Sequence, residues 1–226
     1  MKIKLISYSE PAGEMPADID DVQDLVAYCA RVSNPSNQTN TDTSEKLIRY
    51  LIKHQHWSPL EMVSACLEIE TTRDIARQIL RHRSFSFQEF SQRYADPTKE
   101  LDFVLREARL QDTKNRQNSI EMGVTLKDSL IVDEWKRRQV EIIQQVKESY
   151  EWAIQNGIAK EQARAILPEG NTVSRLYMNG TLRSWIHYIQ LRSANGTQKE
   201  HREIALKCAE VIAKVFPMAK EFTEQE

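Results

Sequence analysis

Apolar and polar positions alternate along residues 2–8, the period of a half-buried strand. From 20 to 31 the period changes, and Val22, Leu25, Val26 and Cys29 fall on one helical stripe. The polar stretch 34–42, with its proline, reads as a loop. Asp42 followed by Glu45 predicts a capping box for a helix carrying Leu47, Ile48, Leu51 and Ile52. Ser58-Pro59-Leu60-Glu61 is a second capping pattern, with proline at the first helical position. Val63, Ala65, Leu67 and Ile69 then alternate with Ser64, Cys66, Glu68 and Glu70, as on a strand with one wet face.

Further along, residues 72–82 read as a helix, 84–95 as a loop or extended segment, and 108–118 as a surface loop. A long helix is predicted over about 131–156, stopped by Gly157. A short helix covers 161–167 and ends before Pro168, and 172–178 reads as a strand. Helices at 181–194 and 199–216 are separated by Asn195-Gly196. Many helices, few strands and no regular βαβ alternation predict an α+β fold, a small mixed or antiparallel sheet packed with several helices. The expectation is a single domain over 1–226 with a C-terminal tail at about 218–226.

Charge and cysteines narrow the possibilities. With 31 Lys+Arg against 33 Asp+Glu the net charge is −2, which argues against a general nucleic-acid or membrane-surface binder. No apolar run approaches the roughly 18 residues of a membrane span. The N-terminal MKIKLISYSEPAGE lacks the apolar stretch and cleavage site of a signal peptide. Cys29, Cys66 and Cys208 are odd in number and far apart, which argues against a disulfide framework and a clustered zinc site. A reducing, cytoplasmic location is expected, in a bacterium or in a host cell if the gene is viral.

The chemistry-bearing segment lies between Arg73 and Arg93. It contains five arginines (73, 77, 81, 83, 93), while the 14 lysines of the chain leave a gap between Lys53 and Lys99. Arginine alone points to planar, bidentate recognition of carboxylate or phosphate. On a helix, Ile75, Ala76, Ile79 and Leu80 share one side, and Asp74, Arg77, Gln78 and Arg81 the other. If the segment after His82 and Arg83 is extended, Glu89, Ser91 and Arg93 point the same way. A solvated helix followed by a polar loop accounts for these residues equally well when each is taken alone.

The string RHRSFSFQEFSQRY, in which Arg81-His82-Arg83 is followed after seven residues by Ser91, resembles the signature of the flavin-dependent thymidylate synthases, the ThyX family. The resemblance runs from about Ala30 to about His201. ARVSN at 30–34 and KHQHWSPLE at 53–61 look like the family's flavin-contacting stretches, and QARAILP at 162–168 and TLRSWIHYIQLR at 181–192 like its later substrate and flavin segments. The resemblance implies an α+β homotetramer with active sites shared between subunits. It implies conversion of dUMP to dTMP, with methylenetetrahydrofolate giving the carbon, FAD carrying the hydride and NADPH reducing the flavin.

By position, Gln78, Arg81, Glu89, Phe90, Ser91, Gln92, Arg93, Arg164 and Arg192 are similar to the family's dUMP contacts. Ser33, His56, Ser58, Arg81, His82, Arg83, Glu89, Thr181, Arg183 and His187 are similar to its FAD contacts. Gln92 stands where glycine is frequent, Ser58 where threonine occurs, and Thr181 and His187 where asparagine is usual.

Helical geometry at 181–192 agrees. Leu182, Trp185, Ile186 and Ile189 make an apolar stripe, Arg183, His187 and Gln190 a polar one, and Arg192 falls at the edge beside Trp185 and Tyr188. Cys29 and Cys208 read as small core residues, and Cys66 lies on a strand outside the arginine cluster, which leaves no candidate thiolate nucleophile. The resemblance matches Arg192 to the family's arginine that polarises the uracil ring, and Arg192 is the expected catalyst. No metal is expected. A nucleotide sensor without chemistry and a single-strand RNA binder using Phe85, Phe87, Phe90 and Tyr94 remain as other readings. The charge of −2 opposes the second, and those aromatics read better as core and interface packing.

Overall fold

The computed structural model describes residues 1–223. The chain runs through β1 (Lys2–Tyr8), α1 (Val22–Ala30), α2 (Ser44–Lys53), β2 (Ser64–Thr72), α3 (Arg73–Ile79), β3 (Ser86–Glu89), α4 (Pro97–Glu100), β4 (Arg109–Gln111) and β5 (Ser119–Glu121). It continues through α5 (Leu126–Gln155), α6 (Lys160–Ala163), β6 (Val173–Thr181), α7 (Leu182–Ser193) and α8 (Lys199–Ile212). The α+β expectation holds. Four strands form one antiparallel sheet in the order β1-β2-β6-β3, and β4 pairs with β5 in a separate hairpin.

The alternation in the sequence decides which face of the sheet is dry. In the β2–β6 register Ala65 faces Gly180, Leu67 faces Met178 and Ile69 faces Leu176. All of these apolar side chains are buried. The opposite face carries a charged ladder: Lys4 with Glu68 at 3.1 Å, Arg175 with Glu70 at 2.8 Å, and the Tyr177 hydroxyl donating to Glu68 at 2.9 Å. Helices α3, α7 and α8 therefore gather on the apolar face, where α7 packs on α8 and α8 on α3 and β1. Trp185 sits fully buried there, its indole N–H donating to the Ala65 carbonyl at 2.9 Å. Truncating a tryptophan at such a site costs on the order of 3–5 kcal/mol.

Two junctions position the site. Central strand β2 passes directly into α3, and its neighbour β6 directly into α7. Because the strands are antiparallel and Thr72 pairs with Val173 while Ser64 pairs with Thr181, the two helices start at opposite ends of the sheet. A nine-residue strand is about 30 Å long, and helices of seven and twelve residues are about 10 and 18 Å. Those lengths let the two helices span the strand between them, and just past α3 and in the last turn of α7 His82 and Arg192 touch. Both helix C-termini bring partial negative charge there, which favours a cation.

Several local expectations are corrected. The helix α2 starts after Thr43, without the Asp42–Glu45 box, and the Thr43 hydroxyl accepts from Arg31. Ser58–Glu61 makes only a 3₁₀ turn with no side-chain cap, because β2 begins three residues later. The long helix starts at Leu126, five residues early, and here a true capping box forms between Thr125 and Asp128. Part of the expected surface loop at 108–118 is strand β4 of the hairpin. Gly157 at φ +77° stops α5 in the left-handed region, whereas α7 ends at Ser193 with Ala194 already extended, and Gly196 at φ +96° lies in the turn that follows. Of the expected tail, Pro217–Thr223 form a 3₁₀ segment whose Met218, Ala219 and Phe222 are buried in the core; 224–226 lie outside the described residues. No helix among the described residues is long and apolar enough to cross a membrane.

Candidate active site

The centre is built from the meeting of α3 and α7. His82 closes the last turn of α3, its amide donating to the Ile79 carbonyl at 3.0 Å. Arg192, in the last turn of α7, donates from Nε to His82 Nε2 at 2.9 Å. The imidazole therefore accepts at Nε2 and carries its proton on Nδ1. Burial, with the Arg192 charge adding to it, pushes the His82 pKa down to about 4, so the ring is neutral near neutral pH. Behind it lies His201 of α8, fully buried and held by burial, Arg192 and His82 down to about 3. His201 bonds Gln78 through Nδ1 at 3.1 Å and the Tyr188 hydroxyl through Nε2 at 3.2 Å.

The arginines separate into two sets. Arg73 pairs with Glu89 at 3.6 Å, Arg77 with Glu169 at 3.1 Å and Arg93 with Glu161 at 3.5 Å. Arg81, Arg83 and Arg192 form no ion pair among the described residues. A guanidinium that meets only a neutral ring keeps its charge for something else. The Arg192 fork has its Nε–H on His82 and no protein acceptor for its terminal nitrogens among the described residues.

Phe85 pins the segment that follows His82. It is buried edge-on to Trp185 at 4.8 Å and lies over Gly180, where a Cβ would come within 2.4 Å of its Cδ1. From there β3 pairs with β6 only as far as Glu89, whose carboxylate accepts from the Ser174 hydroxyl at 2.7 Å. The chain then turns, with the amides of Tyr94 and Ala95 both on the Ser91 carbonyl. This corrects the expectation that Glu89, Ser91 and Arg93 share one strand face. Phe90 is half-buried at the end of the pairing, its amide on the Arg175 carbonyl. Gln92 is buried, with its amide nitrogen unpartnered among the described residues. Glu161 links Arg93 to Arg164, whose Nε donates to the Glu161 carbonyl at 3.3 Å.

Of the other expected flavin contacts, Thr181, Arg183 and His187 lie on α7 or at its cap, and Ser58 lies in a turn packed against it. Thr181 caps α7, accepting from the Ser184 amide. Arg183 is held by Glu61, in the same 3₁₀ turn as Ser58. His187 is exposed with its ring 4.6 Å from Trp57, and burial and the Arg183 charge lower its pKa. Ser33 lines a 550 Å³ hollow with Tyr50, whose ring stands 6.0 Å from His56. A 720 Å³ cavity elsewhere, edged by Lys2, Glu70, Arg106 and Glu203, contains none of the expected site residues.

Cys208 is buried as expected, whereas Cys29 is only half-buried, because it lies at the margin of its helical stripe. Burial raises the pKa of all three thiols, which disfavours a thiolate. Sequence reasoning overlooked His201, Tyr188, Phe85 and Gly180 as parts of the site. The available signal was a histidine on the apolar stripe of Ile204, Ala205 and Cys208.

Unneutralised arginines beside neutral histidines, on helices folded back over an antiparallel sheet, make an anion-binding centre of an α+β protein. Comparison with known proteins gives the class a family. The profile of the thymidylate synthase complementing protein family matches residues 15–218. A probable flavin-dependent thymidylate synthase of Paramecium bursaria Chlorella virus 1 is 47% identical over 220 residues, covering 96% of each chain. A flavin-dependent thymidylate synthase of Synechocystis is 48% identical over 217 residues, again covering 96% of each. Among solved structures, a UMP/dUMP methylase, PolB from Streptomyces cacaoi, bound with 5-Br dUMP, superposes with a TM-score of 0.78 at 25% identity, covering 98% of this chain and 93% of that one. The chain belongs to the thymidylate synthase complementing protein family, that of the flavin-dependent thymidylate synthases.

Proposed function

We propose that this chain methylates dUMP to dTMP, with methylenetetrahydrofolate as carbon donor, FAD as bound cofactor and NADPH as reductant. The observation that carries the reading is Arg192: a guanidinium bound to a neutral histidine, without a carboxylate among the described residues, on the segment that resembles the family's substrate site. Its fork addresses the uracil ring and stabilises the electron-rich form as charge develops there. His82 holds the fork in orientation. Gln78, Arg81, Glu89, Phe90, Ser91, Gln92, Arg93 and Arg164 bind the rest of dUMP, with the unpartnered Gln92 amide as one donor.

The donor set also fits FAD. Arg81 and Arg83 are exposed, form no ion pair among the described residues and suit the diphosphate, while the exposed His187 edge beside Trp57 suits an aromatic ring. His82, Glu89, Thr181, Ser33, His56 and Ser58 complete that set, and Arg183 joins it by leaving Glu61. When bound, FAD supplies the hydride that reduces the transferred carbon. The protein acts in the cytoplasm as a homotetramer: Ser33 lines a hollow that includes neither Arg192 nor His82, and a partner subunit would bring such groups together. Titration of micromolar protein with FAD is expected to shift the flavin spectrum and quench its fluorescence. Light scattering is expected to give four times the 26.3 kDa chain mass. An unchanged FAD spectrum, or full activity in a monomer, contradicts the corresponding part.

A further inference from the structure

We propose that His201 is a positioning residue for dUMP: together with Tyr188, Gln198 and Glu200 it locks the side-chain amide of Gln78 in one orientation. The inference rests on the reading of Gln78 as a dUMP contact.

Four hydrogen bonds run in series. Gln198 Nε2 meets Glu200 Oε2 at 3.0 Å, Gln78 Nε2 meets Gln198 Oε1 at 2.8 Å, His201 Nδ1 meets Gln78 Oε1 at 3.1 Å, and His201 Nε2 meets the Tyr188 hydroxyl at 3.2 Å. Their direction follows from one end. Glu200 is held by Arg109 at 2.6 Å, with Arg106 at 3.7 Å. Burial pushes its carboxyl up, but these arginines outweigh burial and keep it ionised. An ionised carboxylate only accepts. Gln198 must therefore turn its NH₂ to Glu200 and its carbonyl to Gln78. Gln78 then gives its NH₂ to Gln198 and its carbonyl to His201. His201 must carry its proton on Nδ1, and its bare Nε2 accepts from the Tyr188 hydroxyl.

Turning the Gln78 amide over would set carbonyl against carbonyl at Gln198, whichever tautomer His201 then took, and would cost His201 its present Nδ1–H bond to Gln78. Turning Gln198 as well would set its carbonyl against the Glu200 carboxylate. One orientation survives, and it leaves Gln78 with one N–H and one carbonyl lone pair in fixed places for a ligand. An amide free to rotate would pay that ordering cost on binding. His201 is fully buried, bonded to Gln78 of α3 and Tyr188 of α7, and both of its ring nitrogens are used in the relay. Tyr188 also packs edge-on to His82, at 4.9 Å between centroids, so the relay ends beside the Arg192 centre.

The test compares two amides in the FAD-loaded enzyme. In His201→Asn the side-chain N–H stands in for Nδ1–H, whereas in His201→Gln the amide reaches the Nε2 position and leaves Gln78 without its donor. Gln is expected to raise the KM for dUMP about tenfold, the scale of one lost hydrogen bond with an unsatisfied partner. Turnover at saturating dUMP stays within about twofold, as for an interaction made equally in ground and transition states. Asn is expected to keep the KM near wild type, although both variants melt earlier. Equal KM values in the two variants overturn the proposal. Tyr188→Phe, which keeps the ring and removes only the hydroxyl, gives an independent reading if His201→Gln does not fold: a raised KM supports the relay and an unchanged one overturns it. Gln78→Ala separates the premise from the inference. If it leaves the KM unchanged, Gln78 is no dUMP contact and the proposal falls with it. If it raises the KM while His201→Gln does not, only the role of His201 is overturned.

Discussion

Helices α5 and α7 use the same side chains to opposite ends. On α5, thirty residues long, only Gln139, Tyr150 and Ala153 are buried. Its Arg137 lies exposed between Glu134 at 2.8 Å and Glu141. On α7, twelve residues long, six are buried, and Arg192 meets a neutral imidazole. An exposed arginine with two carboxylates is neutralised and screened, and contributes little to stability or to binding. A half-buried arginine without one holds a charge that the fold leaves unspent, in a medium where that charge acts strongly. The number of arginines says less about function than which of them lack a partner.

The largest effect expected from breaking this contrast is at Arg192. Arg192→Ala is expected to lower dTMP turnover at saturating dUMP by roughly a hundredfold or more, the scale for one electrostatic donor to a developing charge. Arg192→Lys rescues poorly, because an ammonium lacks the fork that holds His82 and a ligand together. Steady-state assays with dUMP varied check both. Next in size is Gly180→Ala. Its new methyl group would overlap Phe85, and with it the anchoring of the segment after His82. A loss of about 1–3 kcal/mol is expected in urea unfolding, as for other overpacked core sites.

A smaller, pH-dependent effect comes from the two histidines. Their rings titrate near 6.5 in the unfolded chain but near 4 and 3 when folded. Above pH 6.5 both states are neutral. As the pH falls from 6.5 toward 4, the unfolded chain takes up protons that the folded chain refuses, so stability falls over that window. Urea midpoints measured across it are expected to drop, and to drop less in His201→Asn, which removes one titrating ring. At the end of the scale, Glu134→Gln on α5 is expected to leave both the melting temperature and turnover unchanged, although the arginines beside it hold its carboxyl down to about 2. A loss of activity there would mean that α5 is more than a solvated face.

The same contrast marks what could be read from the residues alone. The alternation from Val63 to Ile69 placed β2 and its dry face, because burial on one side of a sheet imposes a period of two. The apolar stripe of 182–189 placed α7 for the same kind of reason. The start of α5 was missed because Val124, Leu126 and Leu130 are apolar yet exposed, so hydrophobic period carried no information there. The β4–β5 hairpin has three residues per strand, too few for alternation to stand out. Ser91 and Arg93 were misplaced because β3 ends with Glu89, and a turn closed by the Ser91 carbonyl follows. The Arg192–His82 contact spans 110 residues and the Gln78–His201 contact 123, and no local pattern records either.

The claim that Arg192 acts on the uracil ring is tested most directly by following the two halves of the reaction separately in Arg192→Ala. Reduction of bound FAD by NADPH is followed by absorbance, and dTMP formation is then followed in a single turnover of the pre-reduced enzyme at saturating dUMP and methylenetetrahydrofolate. The account predicts flavin reduction at the wild-type rate and dTMP formation slowed by roughly a hundredfold or more. Wild-type dTMP formation in that turnover would contradict it and leave Arg192 a binding residue only.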